Sequence, residues 1–266
     1  MKLQLKNGPF SAHQKNGAEL MLGYQLGDLR VENQMKLFDD NPFIRRLPKI
    51  VPIDADVSVT KRRKISYQNI NLTQRMTLVG KYEMPEVKAY TGEIPIALTP
   101  YSMKDTGNTH GALHFYIDDY RFTGMYMWGH LSQFTEKVTP YKMVIAPDFS
   151  VYLDQSLALN LFQLYQNRFV SAYWQSEGLQ VIPSVSWGNA DSFEYCFDGL
   201  PQNSVLSIGG VGNSHHASML QLWEYGVNLT IEQLHPKALI MYGAPKKLDL
   251  PVETYYYKDF INAKFH

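Results

Sequence analysis

The chain has almost no cysteine: Cys196 is the only one in 266 residues. That excludes a disulfide framework and any zinc site built on cysteines, and it predicts a reducing, cytoplasmic setting. It has no surplus of either charge, with 25 Lys plus Arg against 25 Asp plus Glu. A strongly basic nucleic-acid binder is therefore not indicated as a whole, which leaves local patches to consider. No apolar run approaches the roughly 18 residues that a membrane span requires, so no membrane partner is expected. The opening "MKLQLKNGPF" lacks the apolar core of a signal peptide. Neither a P-loop Lys-Ser/Thr nor a full dinucleotide-binding glycine pattern occurs, and His215 and His216 are adjacent rather than at metal-binding i, i+4 spacing.

What is present is a large apolar fraction, 45%, and an unusual aromatic content, 13% with 18 Tyr. This is enough for a sizeable core. The two halves of the chain read differently. Residues 1–105 show little sustained periodicity, with Gly, Pro and Asn scattered between short apolar pieces. They are expected to form an irregular N-terminal extension that wraps the second half or contacts a protein partner. The only dense basic run, Lys61, Arg62, Arg63 and Lys64, lies here. It is either a nucleic-acid contact or a solvated surface segment.

Residues 106–266 are expected to form an α/β domain. Strand-like runs recur as "LHFYID", "YKMVIAP", "LQVIPSVSW", "SVLSIGG", "KALIMYG" and "VETYYYKD". Between some of them lie helix-like stretches, the clearest running from a cap at Asp154 to a stop at Gly178 and the next over "HHASMLQLWEYGVNLTIEQLH". Strands alternating with helices predict a mostly parallel sheet, because parallel neighbours need crossover connections. The expected architecture resembles a partial or distorted β/α barrel.

Each strand-like run ends on polar or glycine residues. The exits carry Asp118, Asp119 and Arg121, then Asp148 and Ser150, then Trp187 and Asn189, then Gly209, Gly210 and Asn213, then Tyr242. In a parallel fold these exits share the carboxyl edge of the sheet, where ligand sites collect. Asp119 and Asp148 are thus candidates for general acid and base, or for holding a divalent ion such as magnesium or manganese, with Arg121 stabilising negative charge. Asp118, Ser150, Trp187, Asn189 and Tyr242 are candidate ligand contacts. The competing reading of each acid is a helix cap or turn former. Arg168 falls on the apolar stripe of its helix and is expected to be buried, pairing with an acid or with carbonyls. Its place about 20 Å along the helix puts it towards the edge opposite Asp148. Cys196, among aromatics, reads as an inert core thiol.

The segments "HFYIDDYRF", "APDFSVYLD", "NRFVSAYWQSEGLQVIPSVSWG", "FEYCFDGLPQNSV" and "MYG" resemble, in order and spacing, the family known as domain of unknown function 4417, over about residues 110–243. The resemblance implies a phage or mobile-element protein acting in the cytoplasm of a bacterial host. It brings no established activity. The family's shared positions match Asp118, Asp119, Arg121, Asp148, Ser150, Asn167, Arg168, Trp187, Asp198 and Gly199 here. This chain departs from the family pattern at "SIGGVGN". Two functions are expected to compete. One is action on nucleic acid or a phosphate-containing ligand at the carboxyl edge, with metal dependence. The other is non-enzymatic engagement of a host protein or a viral assembly.

Overall fold

The computed structural model describes residues 68–73, 75–102, 111–123, 127–211 and 216–259. Residues 1–67, including the basic run at 61–64, lie outside the described residues, as do Gly212, Asn213 and His215. Of the stretch read as an extension, residues 75–102 supply a small antiparallel pair, β1 (Leu78–Val79) with β2 (Met84–Pro85), and a first parallel strand, β3 (Leu98–Pro100).

Two four-stranded parallel sheets form the centre. The first has the order β3, β4 (Ala112–His114), β5 (Met143–Ile145), β6 (Gln180–Ile182). The second has the order β7 (Ser184–Val185), β8 (Val205–Gly209), β9 (Ala238–Tyr242), β10 (Glu253–Tyr257). Every pairing in both sheets is parallel. β6 and β7 belong to one extended run that Pro183 interrupts. Proline has no N–H to give to a ladder, so the strand changes partners at that point. β6 pairs with β5 and β7 pairs with β8. The fold is α/β, as expected; among the described residues no ladder joins β10 to β3, so the strand order does not close into a hydrogen-bonded barrel.

Strand side chains alternate between two faces, as the pleat requires. On one face Leu113, Val144 and Val181 pack against helices α1 (Leu131–Val138) and α2 (Leu157–Ser176), through Phe134, Phe169, Val170 and Trp174. Leu206, Ile208, Leu239 and Met241 likewise pack against α3 (Ala217–Leu234), through Trp223 and Val227. On the other face Leu98, Ala112, Ile145, Ile182, Val205, Ile240 and Tyr255 meet in a single cluster that draws on both sheets. The two sheets therefore face a common interior. Apolar burial at about 25 cal/mol per Å² on both faces is what holds these short strands together.

The helix expected to start at Asp154 is capped instead by Ser156, whose hydroxyl accepts from the Leu159 N–H at 3.4 Å. Its end at Gly178 is as expected, with the glycine at φ +89°. α1 was not visible in the sequence pattern, and its apolar face holds only Leu131, Phe134 and Val138 besides Thr135.

Candidate functional site

The inner face changes character along the strands. Towards the amino ends it carries small and aliphatic residues; towards the carboxyl ends it carries His114, Tyr116, Ser184, Ser207 and Tyr242. Beyond these residues the exits of the parallel strands open into one cleft of about 1360 Å³. Pro100 ends β3 and Ser102 follows it, Tyr116 to Arg121 follow β4, and Asp148 and Ser150 to Asp154 follow β5. Ser186, Trp187 and Gly188 follow β7, Gly209 ends β8 with Val211 beyond it, Tyr242 ends β9 and Asp259 lies beyond β10. Asp118, Asp119, Arg121, Asp148, Ser150, Trp187 and Tyr242 all line it. Asn189 does not: its carbonyl accepts from the N–H and hydroxyl of Ser192 at the start of a short 3-10 turn.

Asp119 is tied down. Its two carboxylate oxygens accept from the Ser150 N–H at 3.0 Å and the Ser150 hydroxyl at 2.7 Å. Burial raises its pKa, the two Ser150 donors pull it back, and the charge of Asp118 adds to the rise. Asp148 differs. It keeps a surface towards the cleft, yet protein surrounds it, and among the described residues it makes no hydrogen bond. Burial, with a further push from the charge of Asp119, lifts its pKa to about 7. A carboxylic acid that titrates near neutrality and lacks an internal partner is equipped to take up and release protons.

Around Asp148 the wall is aromatic and closely fitted. Tyr116 stacks on Tyr242 at 5.1 Å and 11°, and Tyr242 meets the His114 ring at 4.4 Å. The Tyr116 hydroxyl donates to Ser207 Oγ at 2.8 Å, and Ser207 Oγ donates to the Ile240 carbonyl at 3.3 Å. Burial and the nearby Asp148 charge push the Tyr116 phenol up, so it stays protonated. Gly209 completes the wall. A Cβ there would stand 2.9 Å from Tyr116 Cε1 and 3.7 Å from Asp148 Oδ2, so only glycine fits without moving the ring. His114 is 1% exposed, and its Nδ1 accepts the Tyr116 N–H at 3.2 Å. The ring proton therefore sits on Nε2, a buried atom with no partner among the described residues. Burial lowers the His114 pKa to about 3 and keeps the ring neutral.

Arg121 lines the cleft and pairs with its neighbour Asp118. Its Nε donates to Asp118 Oδ2 at 3.3 Å, and both side chains are exposed. Trp187 packs against α3 at Gly226, where a Cβ would come within 2.2 Å of the indole. Cys196 is buried, and burial pushes its thiol up to about 12, which fits an inert core residue. Arg168 is fully buried and donates to carbonyls, as anticipated. It does not lie at the edge opposite Asp148, however. Its neighbour Asn167 donates to the Pro147 carbonyl, one residue before Asp148. Residues 146–156 separate β5 from α2, and it is the middle of the helix, not its start, that lies level with the strand exits.

The residues that sequence reasoning missed are His114, Tyr116 and Ser207. A signal for the first two was present: His114 and Tyr116 alternate with Leu113 and Phe115, which places them on one strand face. Nothing in "SVLSIGG" marks Ser207 as facing Tyr116.

The model of the family described as domain of unknown function (DUF4417) matches residues 76–258. The chain belongs to this family. The DUF4417 segment thus starts before β1 and ends beyond β10, covering both sheets and the cleft. Among curated proteins, the chain is 33% identical over 184 residues to the Gene 1 protein of Mycobacterium phage L5, covering 68% of this chain and 79% of that protein. It is 29% identical over 184 residues to the Gene 1 protein of Mycobacterium phage D29, covering 68% of this chain and 67% of that one. Both relatives are phage proteins, and the phage association inferred from the sequence holds. No solved structure matches the chain. Among the described residues no helix is long and apolar enough to cross a membrane.

Proposed function

We propose that this DUF4417 protein is an enzyme that carries out acid–base chemistry in the cleft, with Asp148 as the proton-transferring group. The observation that supports this reading is the environment of Asp148. It is an enclosed carboxyl without a hydrogen-bonding partner among the described residues, set where seven parallel strand exits converge. Asp119 is the second carboxyl, held by Ser150 and acting on Asp148 through its charge. The ligand class follows from the lining, in which Asp118, Asp119, Asp148, Asp154 and Asp259 face one guanidinium, Arg121. A phosphate-containing ligand or nucleic acid enters such a cleft accompanied by a divalent cation. Among the described residues no group of three or more His, Cys, Asp or Glu is placed to hold a metal ion. Magnesium, however, commonly uses one or two carboxylates and completes its shell with water and substrate phosphate. Each Asp119 oxygen has a lone pair beyond its Ser150 bond, so Asp119 fits that use, and Asp148 is left to carry the proton.

The test is a set of thermal melts of wild type and Asp119→Asn with manganese, with a nucleotide, and with both. A rise of a few degrees in the wild type that needs manganese and nucleotide together, and that is lost in Asp119→Asn, supports the reading. A nucleotide-induced rise that ignores both manganese and the substitution would overturn it.

A second reading, engagement of a protein partner without catalysis, draws on the exposed apolar residues Tyr152, Leu153, Leu157, Leu159 and Phe162, which crowd into one stretch beside the cleft. Under that reading Asp148→Asn leaves partner capture intact, whereas Leu157→Asp abolishes it.

A further inference from the structure

We propose that Asn167 and Arg168 are positioning residues for Asp148, fixing the loop that carries it through a relay from guanidinium to amide to carbonyl. The proposal rests on the reading of Asp148 as the proton-transferring group. Arg168 is 0% exposed. Its Nε donates to the Asp198 carbonyl at 3.1 Å and its Nη2 to the Cys196 carbonyl at 2.6 Å. Its Nη1 reaches the Ser184 carbonyl at 3.4 Å and Asn167 Oδ1 at 2.5 Å. Among the described residues no carboxylate accepts a bond from it. Burying a cation without such a partner is costly, and an apolar side chain of similar volume fills the same space more cheaply. Burial lowers the guanidinium pKa only to about 10, so the charge persists. Its presence calls for a task that packing does not need.

The chemistry of the contact supplies that task. A guanidinium has donors and no acceptor, so only the oxygen of the Asn167 amide can face it. The amide nitrogen is thereby turned to the opposite side. There it donates to the Pro147 carbonyl at 2.6 Å and to Ser184 Oγ at 2.8 Å. Ser184 Oγ in turn donates to the Ala146 carbonyl at 3.4 Å. The next fixed point is Ser150, bound twice by Asp119. Ala146, Pro147 and Ser150 are therefore anchored on either side of Asp148, whose own carboxyl is left without a hydrogen bond. The groups that bear on that carboxyl are Asp119 from the β4 exit, with Asp118 beside it, and the Tyr116–Tyr242 stack across from it. Arg168 acts on Asp148 through position, since its charge is engaged with the Cys196 and Asp198 segment.

The experiment uses the full chain with carbon-13-labelled aspartate. It follows the Asp148 carboxyl by titration, assigned by its loss in Asp148→Asn, together with hydrogen exchange at the Ser150 amide. In Asn167→Ala and Arg168→Met the loop loosens and water reaches Asp148. Its midpoint is expected to fall by about one pH unit towards an ordinary carboxylate, and Ser150 exchange to quicken about tenfold while core amides on β9 hold. Arg168→Lys, which still offers a donor to Asn167 Oδ1, is expected to restore most of both. Should Asn167→Ala fail to fold, Ser184→Ala removes one acceptor of the same amide and is expected to move both readouts the same way by less. Folded variants with an unmoved midpoint and unchanged Ser150 exchange would overturn the proposal. A wild-type midpoint near 4 would instead retire the acid–base reading of Asp148. In that event selective loss of Ser150 protection alone decides the positioning role.

Discussion

Ser150 gives both of its donors to a single partner, the N–H to Asp119 Oδ2 at 3.0 Å and the hydroxyl to Asp119 Oδ1 at 2.7 Å. The contact joins the exit of β4 to the exit of β5. It therefore gives Asp119 a structural task alongside any chemical one. Replacing Asp119 by Ala leaves two donors without their acceptor and is expected to cost about 1–3 kcal/mol in urea denaturation. Ser150→Ala keeps the backbone bond and is expected to cost about 0.5–1.5 kcal/mol. Asp119→Ala also removes a negative charge that pushes on Asp148, so the Asp148 midpoint should fall. A rise would contradict the charge assignment.

The pH dependence of stability should show two opposed contributions. Asp148 has a folded pKa of about 7, above its ordinary 3.8, so the folded state holds the extra proton between these values. Stability from this group is greatest below pH 3.8 and is lost as pH rises towards 7. His114 has a folded pKa of about 3, below its ordinary 6.5, so the unfolded state holds the extra proton in that window. Its contribution is complete above pH 6.5 and is lost as pH falls towards 3. The wild type should therefore be comparatively flat between about pH 4 and 6.5 with respect to these two groups. Asp148→Asn should uncover a rise in stability with pH across that range, and His114→Phe a fall. Denaturation series at several pH values measure both slopes, and two variants with slopes of the same sign would contradict the assignment.

Gly226 lies inside α3, where exchanging Gly for Ala usually stabilises a helix by about 1 kcal/mol. Here the added methyl would meet Trp187 Cε2 at 2.2 Å and Cζ2 at 2.4 Å. Overpacking wins: Gly226→Ala is expected to destabilise by about 1–3 kcal/mol and to alter tryptophan fluorescence as the indole is displaced in the cleft wall. A stabilised variant with unchanged fluorescence would show that the close contact is not what sets the helix position.

The architecture was legible in the sequence because parallel strands covered on both faces announce themselves as apolar runs. The runs at "YKMVIAP" and "KALIMYG" hold β5 and β9. The convergence of Asp119, Asp148, Trp187 and Tyr242 on one cleft follows from strand direction alone, and it too was readable. What could not be read is the division of labour between the two acids. Both follow apolar strands, and the difference lies in Ser150, which binds one and leaves the other unpaired. The height of Arg168 was misjudged for a related reason: helix rise is regular, but the length of loop before the helix is not encoded in its periodicity. α1 was missed because its apolar face is only two turns long.

Pro183 divides the hydrogen-bonded framework into two blocks, and the cleft takes its walls from both: Tyr116 and Asp148 from the first, Gly209 and Tyr242 from the second. Cooperative opening in proteins tends to follow such ladder boundaries. A ligand that touches Asp148 and the Tyr242 side together acts as a crosslink across the seam. It ties the stability of the weaker block to that of the stronger one, so that occupancy is felt at the β10 edge as well as at the carboxyl it binds.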